Sequence, residues 1–159
     1  MSVFIEFDDV VLDRQRQPPL DPQVFEDTAL AVLKRLPVES AQEVELTILL
    51  TGDEKLRELN LQYLEIDSPT DVLSFPAEEL DPDSNALYLG DIVCSYQRAQ
   101  VQATAAGYPV EAELQLLVVH GVLHLLGYDH AGDEEKAAMW ALQSEILKDL
   151  GSPAYPPDD

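Results

Sequence analysis

Cysteine is nearly missing from this sequence: among 159 residues only Cys94 carries a thiol. No internal disulfide can form, which excludes a secreted, disulfide-stapled scaffold and fits a reducing compartment. Basic residues are scarce as well. Nine Lys and Arg stand against 31 Asp and Glu, a formal charge of −22 at pH 7, and the sequence pI is near 4.1. A broad basic surface, the usual footprint of a nucleic-acid binder, is therefore excluded, and any RNA or DNA must be met at a local site. No apolar stretch approaches the ~18 uninterrupted residues of a membrane-spanning helix. The opening MSVFIEFDDVVLD carries acids where a signal peptide needs a basic region. These absences predict a soluble, cytoplasmic protein without a membrane partner.

What is present is enough for a core. Hydrophobic residues make up 46% of the chain, and the acids are interleaved with Val, Ile and Leu at structured spacings rather than gathered in one block. Val3 to Phe7 alternates as a strand, and a polar loop with Pro18 and Pro19 follows. Asp21 and Pro22 open a helix in which Val24, Phe25, Leu30, Leu33 and Leu36 recur until Pro37. Val44 to Thr51 reads as a second strand, and Gly52-Asp53 opens a helix with Leu56, Leu59 and Tyr63 on one face. Asp71 to Phe75 is a short strand stopped by Pro76, Glu78 to Asn85 an exposed acidic loop, and Leu87 to Cys94 a fourth strand. Ser95 caps a helix to about Ala106, and Gly107-Tyr108-Pro109 breaks it. From about Val110 to Leu126 a helix is apolar nearly all round, through Leu114, Leu117, Val118, Leu125 and Leu126, which predicts burial at the centre. Asp133 caps a last amphipathic helix with Ala137, Trp140, Ala141, Ser144 and Leu147 along one side, up to Gly151. The expectation is one α+β domain over residues 1–151, a small mixed sheet of about four strands with about five helices around a buried central one, and a loose tail over 152–159.

All three histidines fall within eleven residues, His120-Gly-Val-Leu-His124-Leu-Leu-Gly-Tyr-Asp-His130. His120 and His124 are four apart on a helix, within ~40° on one face and ~6 Å along the axis, so both imidazoles reach one ion. Gly127 permits the left-handed turn that ends the helix and brings His130 back as a third ligand. Three neutral imidazoles leave one position of a tetrahedral zinc open, the pattern of a catalytic rather than a structural site. The spacing also matches H-E-x-x-H-x-x-G-x-x-H of the metzincin peptidases, except that Gly121 stands where the general-base Glu belongs, which makes a peptidase the weaker reading. Gly121 serves either a bulky neighbour beside the metal or close helix packing.

The segment HGVLHLLGYDH resembles the H-G-x-L-H-L-x-G-y-D-H signature of the YbeY family, bacterial zinc-dependent single-strand endoribonucleases of rRNA maturation. Thr70-Asp71-Val72-Leu73-Ser74-Phe75-Pro76 is similar to the family's P-T-D-V-L-S-F-P strand, with Asn60 and Tyr63 upstream, and Leu89-Gly90-Asp91-Ile92-Val93 to its L-G-D-I-v-I strand. The resemblance spans roughly residues 44 to 150 and implies one zinc per chain on His120, His124 and His130, single-stranded rRNA and the small ribosomal subunit as partners, and a role in 16S rRNA 3′-end maturation and ribosome quality control. One residue departs from the pattern. Leu64 occupies the place of a family Arg regarded as part of the RNA site, so Arg57 and Arg98, with Lys55, become the candidate substrate-binding cations, against the plainer reading of solvated helix faces.

Asp129, beside the third histidine, can orient an imidazole or accept a proton, or simply stabilise a turn. Asp71 and Asp91 either orient a ligand or cap backbone groups. Ser74 has no His or Lys beside it in sequence, and Cys94 reads as a small buried residue. Three functions compete: a metal-dependent RNA hydrolase, a non-catalytic ribosome-assembly factor with a zinc-ordered loop, and a small zinc metallopeptidase. If position 64 lies on the RNA path, Leu64→Arg tightens binding of a single-stranded RNA at low salt and steepens its log–log salt dependence by roughly 0.7. Anisotropy titrations across a salt series measure both, and unchanged affinity places residue 64 off the path.

Overall fold

The computed structural model describes residues 1–12, 19–39 and 43–156; Pro18 of the expected loop and residues 157–159 of the expected tail lie outside the described residues. Ser2–Phe7, rich in β-branched and aromatic residues, forms the first strand, β1. Asp21 accepts a hydrogen bond from the Gln23 amide at 3.0 Å, and with Pro22 in the first turn α1 runs Pro22–Arg35. β2 (Glu43–Thr51) leads directly into α2 (Asp53–Leu64), and β3 (Val72–Leu80) and β4 (Ala86–Ser95) follow. The Ser95 hydroxyl accepts from the Arg98 amide at 3.1 Å, capping α3 (Tyr96–Ala106); α4 (Val110–Leu125) and α5 (Asp133–Asp149) complete the chain order. This is the expected α+β architecture, with five helices and a mixed sheet of four strands among the described residues. No helix among the described residues is long and apolar enough to cross a membrane.

The strands lie in the order β1-β2-β4-β3, the first three parallel and β3 antiparallel at the edge. Val44, Leu46, Ile48 and Leu50 point to one face of the sheet, where they join Phe25, Val32 and Leu33 of α1 and the apolar side chains of α4 in one core. Eleven of the sixteen residues of α4 are buried, because α1, α3, α5, β3 and β4 all pack on it. It is the central helix. On the other face α2 brings Leu59 and Tyr63 to a shallow cavity with Leu49, Phe75 and Val93.

Several local expectations need correction. β3 does not stop at Pro76 but runs to Leu80, so Glu78–Leu80 is strand rather than loop. An edge strand tolerates the missing N–H, and the register breaks between Pro76 and Glu79, with Glu78 at φ 49. Gly90, opposite Pro76, sits at φ +140, and a Cβ there would lie 2.2 Å from the Phe75 carbonyl oxygen. The inner side of α2 is Leu56 and Asn60, with Tyr63 left exposed and tilted against Phe75 at 5.1 Å between ring centroids. Asn60 is buried because its amide donates to the Ser68 carbonyl at 2.9 Å and pins the following turn. In α5 the buried residues are Met139, Gln143, Ile146 and Leu147, while Ala137, Ala141 and Ser144 are exposed and Trp140 is half-buried. Alanine and serine gain little from burial, so the longer Met139 and Ile146 set the face. The helix begins on Gly132, and Asp133 lies inside its first turn, where its charge meets the helix dipole.

Gly121 has a packing role. A Cβ at this position would lie 2.7 Å from Cγ2 of the fully buried Ile92 on β4, so the glycine lets α4 seat on the sheet. Gly121→Ala gains about 1 kcal/mol of helix propensity but forces a β-branched neighbour to move, at a cost of about 1–3 kcal/mol. A net loss of stability in urea denaturation is expected, and adding Ile92→Ala should make the pair less damaging than the sum of the single changes.

Candidate metal centre

The site begins with how α4 ends. The Gly127 amide donates to the His124 carbonyl and the Tyr128 amide to the Leu123 carbonyl, each at 3.0 Å, with Gly127 at φ +99. This pair of bonds is a Schellman motif, and it reverses the chain within three residues. Asp129 tightens the return by accepting from the His130 amide at 2.7 Å. His130 comes back beside the face that carries His120 and His124, and one nitrogen from each of the three rings lies within 4.8 Å of the others. The Nε2 atoms of His120 and His124 are 3.1 Å apart; two nitrogens each ~2.1 Å from a shared tetrahedral ion would stand ~3.4 Å apart, so the pair fits one ion after a small adjustment.

Two residues of α5 support the cluster. His120 Nδ1 donates to Gln143 Oε1 at 2.6 Å, which places the proton on Nδ1 and leaves Nε2 with its lone pair toward the other rings. Trp140 stands edge-on to His120 and His130, at 5.9 and 5.6 Å between centroids. Burial lowers the pKa of His120, against the Gln143 bond and the Asp71 carboxylate, which favour its charged form. For His124, burial comes first and repulsion from His120 and His130 next, and together they lower the pKa from 6.5 to about 4 despite the nearby Asp129. Neutral imidazoles are the form that ligates a metal.

A family model described as Endoribonuclease YbeY matches residues 11–151. The chain belongs to the YbeY family. It is 42% identical over 139 residues to an Endoribonuclease YbeY of Heliobacterium modesticaldum, covering 80% of this chain and 82% of that one. A relative of the same name from Persephonella marina is 44% identical over 123 residues, covering 77% and 80%, and one from Bifidobacterium longum is 39% identical over 143 residues, covering 87% and 77%. The solution structure of TM1509 from Thermotoga maritima superposes with a TM-score of 0.59 over 99% of both chains at 23% identity, a likeness of fold.

Around the cluster, the other residues singled out in this YbeY-family sequence take separate places. Asp129 turns one oxygen to the backbone of the loop and reaches His124 only through its charge. Asp71 lines a cavity that also touches His120, whereas Asp91 accepts from the Tyr88 hydroxyl in the neighbourhood of α2. Ser74 donates to the Gly121 carbonyl at 3.4 Å and so ties β3 to α4. Cys94 is fully buried, and burial pushes its thiol pKa up. The candidate cations are engaged with acids: Arg57 pairs with Asp67 at 2.6 Å, Arg98 stands 3.8 Å from Asp53, and Lys55 lies 3.9 Å from Glu58. Leu64 is 56% exposed. Gln143 and the ring contacts of Trp140 escaped the sequence reading; a glutamine between the apolar Met139, Ile146 and Leu147 was the available signal.

The low pKa of His124 has a consequence for stability. Its folded-state value lies below its ordinary one, so the unfolded chain binds more protons between pH 6.5 and about 4. The contribution is therefore complete above pH 6.5 and lost as pH falls toward about 4. Urea midpoints of metal-free protein across this range should fall more steeply with acid than those of His124→Gln; parallel curves would contradict the assignment.

Proposed function

We propose that this YbeY-family chain is a metal-dependent, single-strand-specific endoribonuclease of rRNA processing, with one zinc ion held by His120, His124 and His130. The observation that carries this reading is the convergence of three imidazoles, one of them aimed by a buried glutamine, in a chain whose relatives are named Endoribonuclease YbeY. Cytoplasmic action on the 3′ end of 16S rRNA in the small ribosomal subunit, and ribosome quality control, complete the proposal. A divalent ion at such a site supplies Lewis acidity toward a phosphoryl oxygen and lowers the pKa of water.

The protein's own part is preparation. Gln143 keeps the His120 proton on Nδ1, burial and mutual repulsion keep His124 neutral, and the turn built by Gly127 and Asp129 delivers the third ring. Asp129 is our candidate proton acceptor, a reading supported by its exposure and by its charge acting on His124. Arg57 and Arg98 would have to exchange their carboxylate partners for phosphate to serve as substrate-binding residues. A peptidase is disfavoured because position 121, next to the first histidine, packs against Ile92 and carries no carboxylate. The assembly-factor reading is not favoured either, since the relatives are named for an enzyme.

His124→Ala separates chemistry from fold. Leu114, Leu117, Val118 and Leu125 are buried in α4, each worth ~1.5–3 kcal/mol, so the helix does not depend on one imidazole. The variant should unfold cooperatively while losing metal and more than about a hundredfold of RNA cleavage, beyond what losing a supporting residue typically costs. Elemental analysis, thermal unfolding and cleavage of a single-stranded RNA with and without chelator test this on one preparation. A folded variant that cleaves normally would refute the site.

A further inference from the structure

Next to the imidazole cluster lies a cavity of about 320 Å³ that shares His120 with it. Leu116 and Leu117 of α4 and Val72 of β3 give it apolar lining, and Trp140, Tyr108 and Tyr155 contribute rings. The rest of the lining is rich in acceptors. The Gln102 amide donates to Asp71 Oδ2 at 3.4 Å, and Gln102 Oε1 is buried with no hydrogen-bond partner. Glu113, 4% exposed, accepts from the Tyr108 hydroxyl. The Asp71 carboxylate, partly exposed and held by Gln102, can accept two hydrogen bonds from a ligand that brings two N–H groups side by side.

The shape and the polarity select different features of a ligand. Aromatic and apolar lining suits a flat ring, as in proteins that hold splayed-out bases of single-stranded RNA. Two carboxylates and an amide oxygen repel phosphate, so the base rather than the backbone enters. Guanine alone among the four RNA bases carries a ring N–H and an exocyclic amine side by side on one edge. Adenine and cytosine set their amine beside a ring nitrogen acceptor, and uracil has one N–H between two carbonyls.

We propose that this cavity is a subsite for an unstacked guanine, its N–H edge read by the two oxygens of the Asp71 carboxylate and its ring lying against Trp140. The proposal rests on the endoribonuclease reading and adds a base preference to it: through the shared His120, a guanine seated here holds its own nucleotide at the metal cluster.

Trp140 is the sole tryptophan of the chain, so its fluorescence, excited at the red edge of its absorption, reports occupancy of the cavity without any turnover. Titration of the full-length protein, metal-loaded and chelated, with uncharged nucleosides should give saturable quenching by guanosine. Inosine, which lacks the exocyclic amine, should bind roughly tenfold more weakly, the loss of one hydrogen bond to a charged group. Adenosine, cytidine and uridine should bind more weakly than guanosine as well. Gln102→Leu and Asp71→Asn, each checked for cooperative unfolding, should reduce guanosine affinity, and Asp71→Asn should erase the preference over inosine. Equal quenching by all nucleosides, no saturable quenching, or wild-type guanosine affinity in folded Asp71→Asn would overturn the proposal. RNA cleavage measured in parallel separates the two claims: cleavage without guanosine binding overturns the subsite and leaves the nuclease reading, whereas guanosine binding without cleavage supports the subsite and overturns the nuclease reading.

Discussion

The close approach of α4 to β4 at Gly121 and Ile92 governs the rest of the structure. With a side chain at 121 the helix would be lifted from the sheet by contact with Ile92 Cγ2, and α4 is the element on which α1, α3, α5, β3 and β4 converge. His120 and His124 ride on the same helix, one on each side of that contact along the chain. The depth of helix seating therefore sets both the packing of the core and the position of two of the three imidazoles relative to Gln143 on α5. Packing and chemistry share one constraint, because interiors have little slack to let one change without the other.

Electrostatics divides the molecule differently. The chain carries −22, and Lys55, Arg57 and Arg98 all stand near carboxylates of their own surroundings. A polyanionic strand gains little from such a surface, since exposed ion pairs must first be exchanged and long-range repulsion is only partly screened at physiological ionic strength. Short-range contacts are available instead beside the imidazole cluster, where aromatic rings and apolar side chains line one cavity.

Much of this was legible in the sequence because local rules and tertiary packing agree. Asp21-Pro22 opened α1 as read, Ser95 capped α3, and the all-round apolar pattern of α4 signalled its central place. The histidine spacing foretold proximity, since helix periodicity and one glycine turn leave the three rings few other places to go. Where the reading failed, tertiary context decided. Pro76 was read as a stop because its edge position is invisible in one dimension, and the inner face of α5 was displaced because alanine at Ala137 and Ala141 is equally content in water. Gln143 could not be assigned from sequence at all, as its meaning comes from a partner 23 positions away.

The break in β3 bears on how the molecule behaves among its own copies. A sheet edge invites strands from other chains when it offers an unbroken row of amides and carbonyls. Here Pro76 removes one donor, the register slips before Glu79, and Glu78 and Glu79 bring like charges to any second copy of the same edge. Edge-to-edge growth of the sheet is thereby discouraged at the β3 edge. In a crowded setting, the features that made β3 hard to read also disfavour pairing of two copies through this edge.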